Sequence, residues 1–97
     1  MLPVRVRFYG HVRDVVSEPA VEIQVGDPAT VGALVDCLVG RFGEPLRQRL
    51  LTSAGEVETN VQIFVGDSQV RSLQESLVAG AQAGEVKVFV LSATAGG

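Results

Sequence analysis

Val4, Val6 and Phe8 alternate with Arg5 and Arg7 near the start of the chain. That two-residue period belongs to a strand with one buried face. Gly10 interrupts the run, and a second alternation follows in Val21-Glu22-Ile23-Gln24-Val25. The connector from Gly10 to Ala20 makes the two an antiparallel hairpin. Gly26-Asp27-Pro28-Ala29 reads as a turn and Thr30 as a helix N-cap. Val31, Leu34, Val35, Leu38, Val39 and Phe42 then recur at i, i+3, i+4, i+7, i+8 and i+11, a single helical stripe. Gly43 stands where a left-handed C-terminal cap is expected.

The pattern weakens from Glu44 to Leu51, where Leu46, Leu50 and Leu51 lie among arginines; a helical turn and a packed loop both fit. Thr52 to Thr59 reads as an exposed loop. Asn60 opens a third strand, Val61-Gln62-Ile63-Phe64-Val65. Gly66-Asp67 reads as a tight turn, with a short edge strand around Val70 pairing back. Ser72 to Leu77 is a turn or short helix, and Gly80 to Gly84 is small and flexible. The last strand is Glu85-Val86-Lys87-Val88-Phe89-Val90-Leu91. One helix over one face of such strands gives a two-layer α+β domain, with a mixed sheet covered on one face by its main helix. The division is a folded domain over 1–91 and a tail over 92–97.

Composition narrows the function. The chain has 97 residues and 46% hydrophobic content, enough for one modest core. Eleven acidic and eight basic residues leave a net charge of −3, with no blocks of like charge. That is not a nucleic-acid footprint. Cys37 is the only cysteine, so an internal disulfide is excluded, and no Cys/His cluster has metal-ligand spacing. No apolar stretch is long enough to span a bilayer, and no N-terminal targeting pattern is present. The expected location is cytoplasmic, with neither nucleic-acid nor membrane partners.

The tail Ser92-Ala93-Thr94-Ala95-Gly96-Gly97 contains no side-chain acid, base or metal ligand. Extended, its six residues reach at most about 20 Å, enough to thread a narrow channel. Gly96 and Gly97 lack Cβ atoms, so the walls of a partner can close directly on their backbone. What is left for chemistry is the carboxylate of Gly97. Adenylation by a partner makes it electrophilic, and attack by a sulfur donor then yields a thiocarboxylate. Such a carrier needs no catalytic residue of its own, because positioning belongs to the partner. The plainer reading is that small residues are common at chain ends.

Three segments resemble the MoaD/ThiS family of ubiquitin-like sulfur carriers, in particular MoaD-like chains. They are Val4-Arg5-Val6-Arg7-Phe8-Tyr9-Gly10-His11-Val12-Arg13-Asp14, Asn60-Val61-Gln62-Ile63-Phe64-Val65-Gly66-Asp67, and Gly84 to Leu91 followed by Ala95-Gly96-Gly97. The resemblance implies a ubiquitin-like β-grasp fold with the first and last strands adjacent and parallel in mid-sheet. It also implies activation at Gly97 by an E1-like adenylating enzyme, with Ala95, Gly96 and Gly97 recognised as the tail. ATP and Mg would belong to that enzyme, and the chain would hold no cofactor of its own. Two departures stand out: Leu91-Ser92-Ala93 replaces an aromatic-proline step, and Gly66-Asp67 replaces an Asn-Gly type turn.

Strand alternation points to a docking patch. If Val61, Ile63 and Val65 face the helix, Phe64 faces outward; if Val86, Val88 and Val90 face inward, Phe89 and Leu91 point out with Lys87. Phe64, Phe89 and Leu91 then form an apolar partner interface beside the tail, unless the segment from Glu44 to Thr59 folds over that face. Cys37 and His11 read as structural and solvated residues rather than as a sulfur acceptor and a base. Arg41, Arg47 and Arg49 read as a solvated face. Lys87 is the only lysine, which argues against self-conjugation as a main theme.

The leading expectation is the small subunit of molybdopterin synthase, a sulfur-carrying and non-catalytic partner of the large subunit in molybdenum cofactor biosynthesis. A carrier feeding a PLP-dependent cysteine synthase is the alternative within the class. A thiamine-type carrier fits less well, since those chains are shorter. A protein modifier joined through Gly97 to target lysines is a reading of another class, and an interaction module with a chemically inert tail is a third.

Overall fold

The computed structural model describes residues 2–26, 28–77 and 85–91. Its elements run β1 (Leu2–Gly10), β2 (Ala20–Val25), α1 (Val31–Phe42), α2 (Glu44–Leu50), β3 (Val61–Val65), β4 (Ser68–Val70) and β5 (Glu85–Val90). The strands form one sheet in the order β2-β1-β5-β3-β4. β1 and β5 are parallel, with Val6 opposite Val86 and Phe8 opposite Val88; the other pairings are antiparallel. The first and last strands thus lie side by side in the interior of a mixed sheet. This is the ubiquitin-like β-grasp arrangement.

Alternation sorts the sheet into two faces. Val4, Val6 and Phe8 of β1, Val86, Val88 and Val90 of β5, and Val61, Ile63 and Val65 of β3 are buried. They share one core with Val31, Leu34, Val35 and Leu38 of α1. Phe8 meets Phe42 edge to face at 5.8 Å, a preferred aromatic geometry.

α1 begins and ends where the sequence indicates. The Thr30 hydroxyl accepts from the Ala33 amide at 3.1 Å. The two amides before it, on Val31 and Gly32, donate to the carbonyls of Glu75 and Leu73. The first-turn donors that a helix leaves unmade are therefore occupied by this protein's own groups. At the other end Gly43 has φ +88° and donates to the Val39 carbonyl. The β3–β4 turn places Gly66 at φ +61° with Asp67 outside the positive-φ region, the pattern of a hairpin turn with glycine first.

The ambiguous segment resolves into α2. Pro45 opens it, and Leu46 and Leu50 are buried in the common core. Leu51 and Val57 form a bridge and pack against that core. The stretch expected to be an exposed loop is thus partly folded in, and 72–77 is a turn rather than a helix. Leu77 within that turn is fully buried. Gly80 to Gly84 and the tail over 92–97 lie outside the described residues. No helix among those described is long and apolar enough to cross a membrane.

Candidate functional site

Of the predicted site residues, Ala95, Gly96 and Gly97 lie outside the described residues, while Phe64, Phe89 and Leu91 lie within them. β5 leads directly towards the tail. It is held by β1 on one side and β3 on the other. The Leu91 amide still donates to the Asn60 carbonyl at 2.9 Å, one residue past the strand. The Leu91 side chain is 58% exposed.

Register explains how the outer face is composed. Gly10 lies opposite Val90, Tyr9 opposite Phe89 and Arg7 opposite Lys87. On the other side of β5, Lys87 lies opposite Phe64 and Phe89 opposite Gln62. Tyr9 stacks on Phe89 with centroids 4.6 Å apart and planes 13° from parallel. Phe64 meets the other side of that cluster edge to face, 5.7 Å from Phe89. Phe64 and Phe89 are half-buried rather than exposed; Tyr9 and Leu91 are the large hydrophobic residues that stand out into solvent.

Tyr9 is the member that the alternation argument did not single out. Its signal is present in the sequence: it stands in phase with Arg5 and Arg7. Its place beside Phe89 depends on the parallel pairing of two strands some 80 residues apart, which no local pattern encodes. The segment from Glu44 to Thr59 directs Leu46, Leu50, Leu51 and Val57 into or against the core, so its apolar residues are spent on the helical side of the sheet.

Beside the aromatic cluster lies a charged row. Arg7 Nε donates to Glu85 Oε2 at 2.6 Å across β1 and β5. That bond, with the charges of Lys87 and Arg5, holds the Glu85 carboxyl below the usual carboxylate range. Three other arginines pair elsewhere. Arg49 grips Asp14 with two bonds of 2.7 and 2.9 Å and also donates to the His11 carbonyl. Arg41 meets Glu18 and Arg47 meets Glu44. These three were expected simply to be solvated; each has an intramolecular partner. Arg49 ties α2 to the β1–β2 connector, where Val12 and Val16 are buried.

No group of three or more His, Cys, Asp or Glu among the described residues is placed to hold a metal ion. Cys37 is half-buried on the flank of α1 and packs against the core, with its Sγ 3.9 Å from the Gln24 carbonyl. A groove of about 300 Å³ is lined by Gly55, Glu56, Val57 and residues 71–74, none of them histidine or cysteine, and none from the aromatic face.

No protein-family model and no curated protein sequence matches the chain. Solved structures do. The crystal structure of SAMP1 from Haloferax volcanii is similar at a TM-score of 0.77 and 24% identity, over 95% of this chain and 98% of that one. A crystal structure of small archaeal modifier protein 1 from H. volcanii gives 0.78 at 22% identity, over 95% and 100%. The solution structure of the Haloferax volcanii HVO 2177 protein gives 0.73 at 27% identity, over 99% and 87%. The whole described domain therefore shares its architecture with small β-grasp proteins of nearly its own length.

Proposed function

We propose that this chain is a ubiquitin-like carrier whose reactive group is the Gly97 carboxylate. The observation that carries the reading is the placement of β5: an interior strand, bonded on both edges, followed at once by exposed Leu91, six residues before Gly97. A partner can pull on such a tail without disturbing the domain. In the first step the carboxylate oxygen attacks the α-phosphorus of ATP on an E1-like adenylating enzyme, releasing pyrophosphate. A hydrosulfide equivalent then attacks the acyl carbon and expels AMP, leaving a thiocarboxylate. The chain supplies the substrate and the fit; ATP, Mg and acid-base groups belong to the enzyme.

Within that class we infer the role of molybdopterin synthase small subunit, with the large subunit receiving the tail. The motif resemblance along the chain supports this assignment. A second reading, conjugation of Gly97 to lysines of other proteins, is favoured by the likeness to proteins named small archaeal modifiers.

The test is intact mass spectrometry after incubation with the adenylating enzyme, ATP, Mg and sulfide. The expected product has one oxygen replaced by sulfur, and adding the synthase large subunit with its sulfur-free precursor returns the mass to its starting value. Stable isopeptide adducts in place of sulfur transfer would install the modifier reading. The starting mass also checks the premise that Gly97 carries the free carboxylate. Absence of any mass change with wild-type protein overturns the carrier.

A further inference from the structure

The peptide group that joins Val90 to Leu91 is held from both sides. Its carbonyl accepts from the His11 amide at 2.9 Å, and its N–H donates to the Asn60 carbonyl at 2.9 Å. His11 directly follows β1 and Asn60 directly precedes β3, so one bond comes from each strand that flanks β5. A peptide group is planar, and bonds on its two opposite edges fix that plane. The direction in which the chain continues towards Gly97, six residues beyond Leu91, is fixed with it. Both supports lead back to α2. On one side the His11 carbonyl accepts from Arg49, whose guanidinium also grips Asp14 at 2.7 and 2.9 Å. On the other side the Leu50 carbonyl accepts from the Glu58 amide at 2.9 Å, and the Glu58 carbonyl accepts from the Val61 amide at 3.1 Å, closing the turn that presents Asn60. α2 is itself anchored by Leu46 and Leu50 in the core. Two consecutive residues of one short helix thus brace both flanks of the strand end. The Leu50 route is backbone; the Arg49 route is a half-buried side chain whose loss leaves the core intact.

We propose that Arg49 is a positioning residue for the reaction of Gly97: through His11 it holds the Val90–Leu91 peptide, and so aims the chain as it leaves the sheet. The inference rests on the carrier reading above and adds to it a residue far from the tail in sequence. Arg49 touches no reacting atom. Its loss leaves the surface of the domain able to bind a partner, but spreads the carboxylate over more positions once the carrier is bound. Reactions between held groups are sensitive to such spread, and a misplacement of about 1 Å can cost on the order of a hundredfold. The effect here is smaller, about threefold, because the Arg49–Asp14 pair is partly solvated and the Asn60 support remains.

The test follows pyrophosphate release from ATP and Mg by the E1-like enzyme of the same genome, with the full chain as substrate, and hydrogen exchange on the carrier alone. R49M keeps the aliphatic stem and removes every donor. It should speed exchange of the Leu91 amide and lower kcat about threefold with KM nearly unchanged, the mark of an interaction that matters after binding. R49K keeps a donor for the His11 carbonyl but not the two-pronged grip on Asp14, and should recover part of kcat. R47M breaks the Arg47–Glu44 pair of the same helix and should match wild type throughout. Melting curves establish that each variant is folded; should R49M fail to fold, R49K carries the test with a smaller loss. Wild-type kcat or unchanged Leu91 exchange in the folded variant overturns the proposal while leaving the carrier in place. An equal loss of kcat in R47M overturns it too, because the effect would then belong to helix stability, and so does a change in KM alone. Wild type that is never adenylated removes the carrier reading and with it the role of Arg49 in the reaction, whereas Leu91 exchange still decides whether Arg49 holds the strand end.

Discussion

The two faces of the sheet use the same strands and the same kinds of residue to opposite ends. On the inner face Phe8 is 1% exposed, lies against Phe42, and belongs to one core with aliphatic residues of the strands and both helices. One position along, Tyr9 is 37% exposed, and its ring neighbour Phe89 is only half-buried. Both faces carry aromatic pairs of good geometry. The inner pair is joined to the core, whereas the outer rings rest largely on one another. Burial against many partners makes a residue structural; clustering at the solvent boundary leaves apolar surface open.

Truncating one ring on each face tests that contrast most severely. Phe8→Ala should cost about 3–5 kcal/mol, because it removes a buried ring and leaves a cavity that rigid neighbours cannot fill. Phe89→Ala should cost about 1–2 kcal/mol, since the lost ring contacts are partly solvated already. Chemical denaturation of the two variants measures both. Equal losses would mean that the outer rings belong to the core after all.

Gly10 is where the two faces are held in register, and it sets the next largest effect. It has φ +81°, and a Cβ added there would lie 2.2 Å from the Val90 carbonyl oxygen. The His11 amide donates to that same oxygen at 2.9 Å. Gly10→Ala therefore meets a left-handed backbone and a backbone collision together, with an expected cost of about 2 kcal/mol or more. Val90 ends β5, so the variant should also loosen the strand that carries the tail. Hydrogen exchange at the amides of Val90 and Leu91 reads that directly: faster exchange there than in β2 supports the coupling, and uniform change refutes it.

The parts of this architecture that were legible in the sequence are those with a local period. The β1, β2, β3 and β5 alternations, the α1 stripe, and the Thr30 and Gly43 caps are each written within a dozen residues. Val12, Val16 and Leu77 are buried in turns, where no period exists and burial is decided by what lies across the molecule. α2 is two turns long, too short for Leu46 and Leu50 to establish a stripe. The outer patch was half legible: alternation places Phe64 and Phe89 outward, but Tyr9 joins them only through the parallel β1–β5 register.

Phe89→Asp separates folding from docking. A carboxylate on the outer face leaves the inner core intact, so the domain should remain folded with a modestly lowered melting temperature. On the partner interface expected from the sequence it would bury a charge against apolar surface, where an unpaired ion costs far more than the lost contact. Affinity for the activating enzyme should fall by more than tenfold. Retained affinity in a folded variant would remove the outer aromatic cluster from the interface.

The smallest effects come from ion pairs, and they sharpen the comparison without altering the fold. Arg49 and Asp14 tie α2 to the connector beneath the core, and Arg7 and Glu85 join β1 to β5 on the open face. The hydrogen bond from Arg49 holds the Asp14 carboxyl below its ordinary range, as that from Arg7 does for Glu85. A carboxyl depressed in the folded state binds fewer protons there than in the unfolded chain. Its stabilising contribution is therefore complete above the ordinary carboxylate pKa and is lost as pH falls through the folded value. Arg49→Gln should raise the Asp14 midpoint towards its ordinary 3.8, measured by NMR titration of the side-chain carboxyl, while the Glu85 midpoint stays put. If both carboxyls shift, the two layers are coupled through the β1–β2 connector, and the outer face is not the independent surface that docking requires.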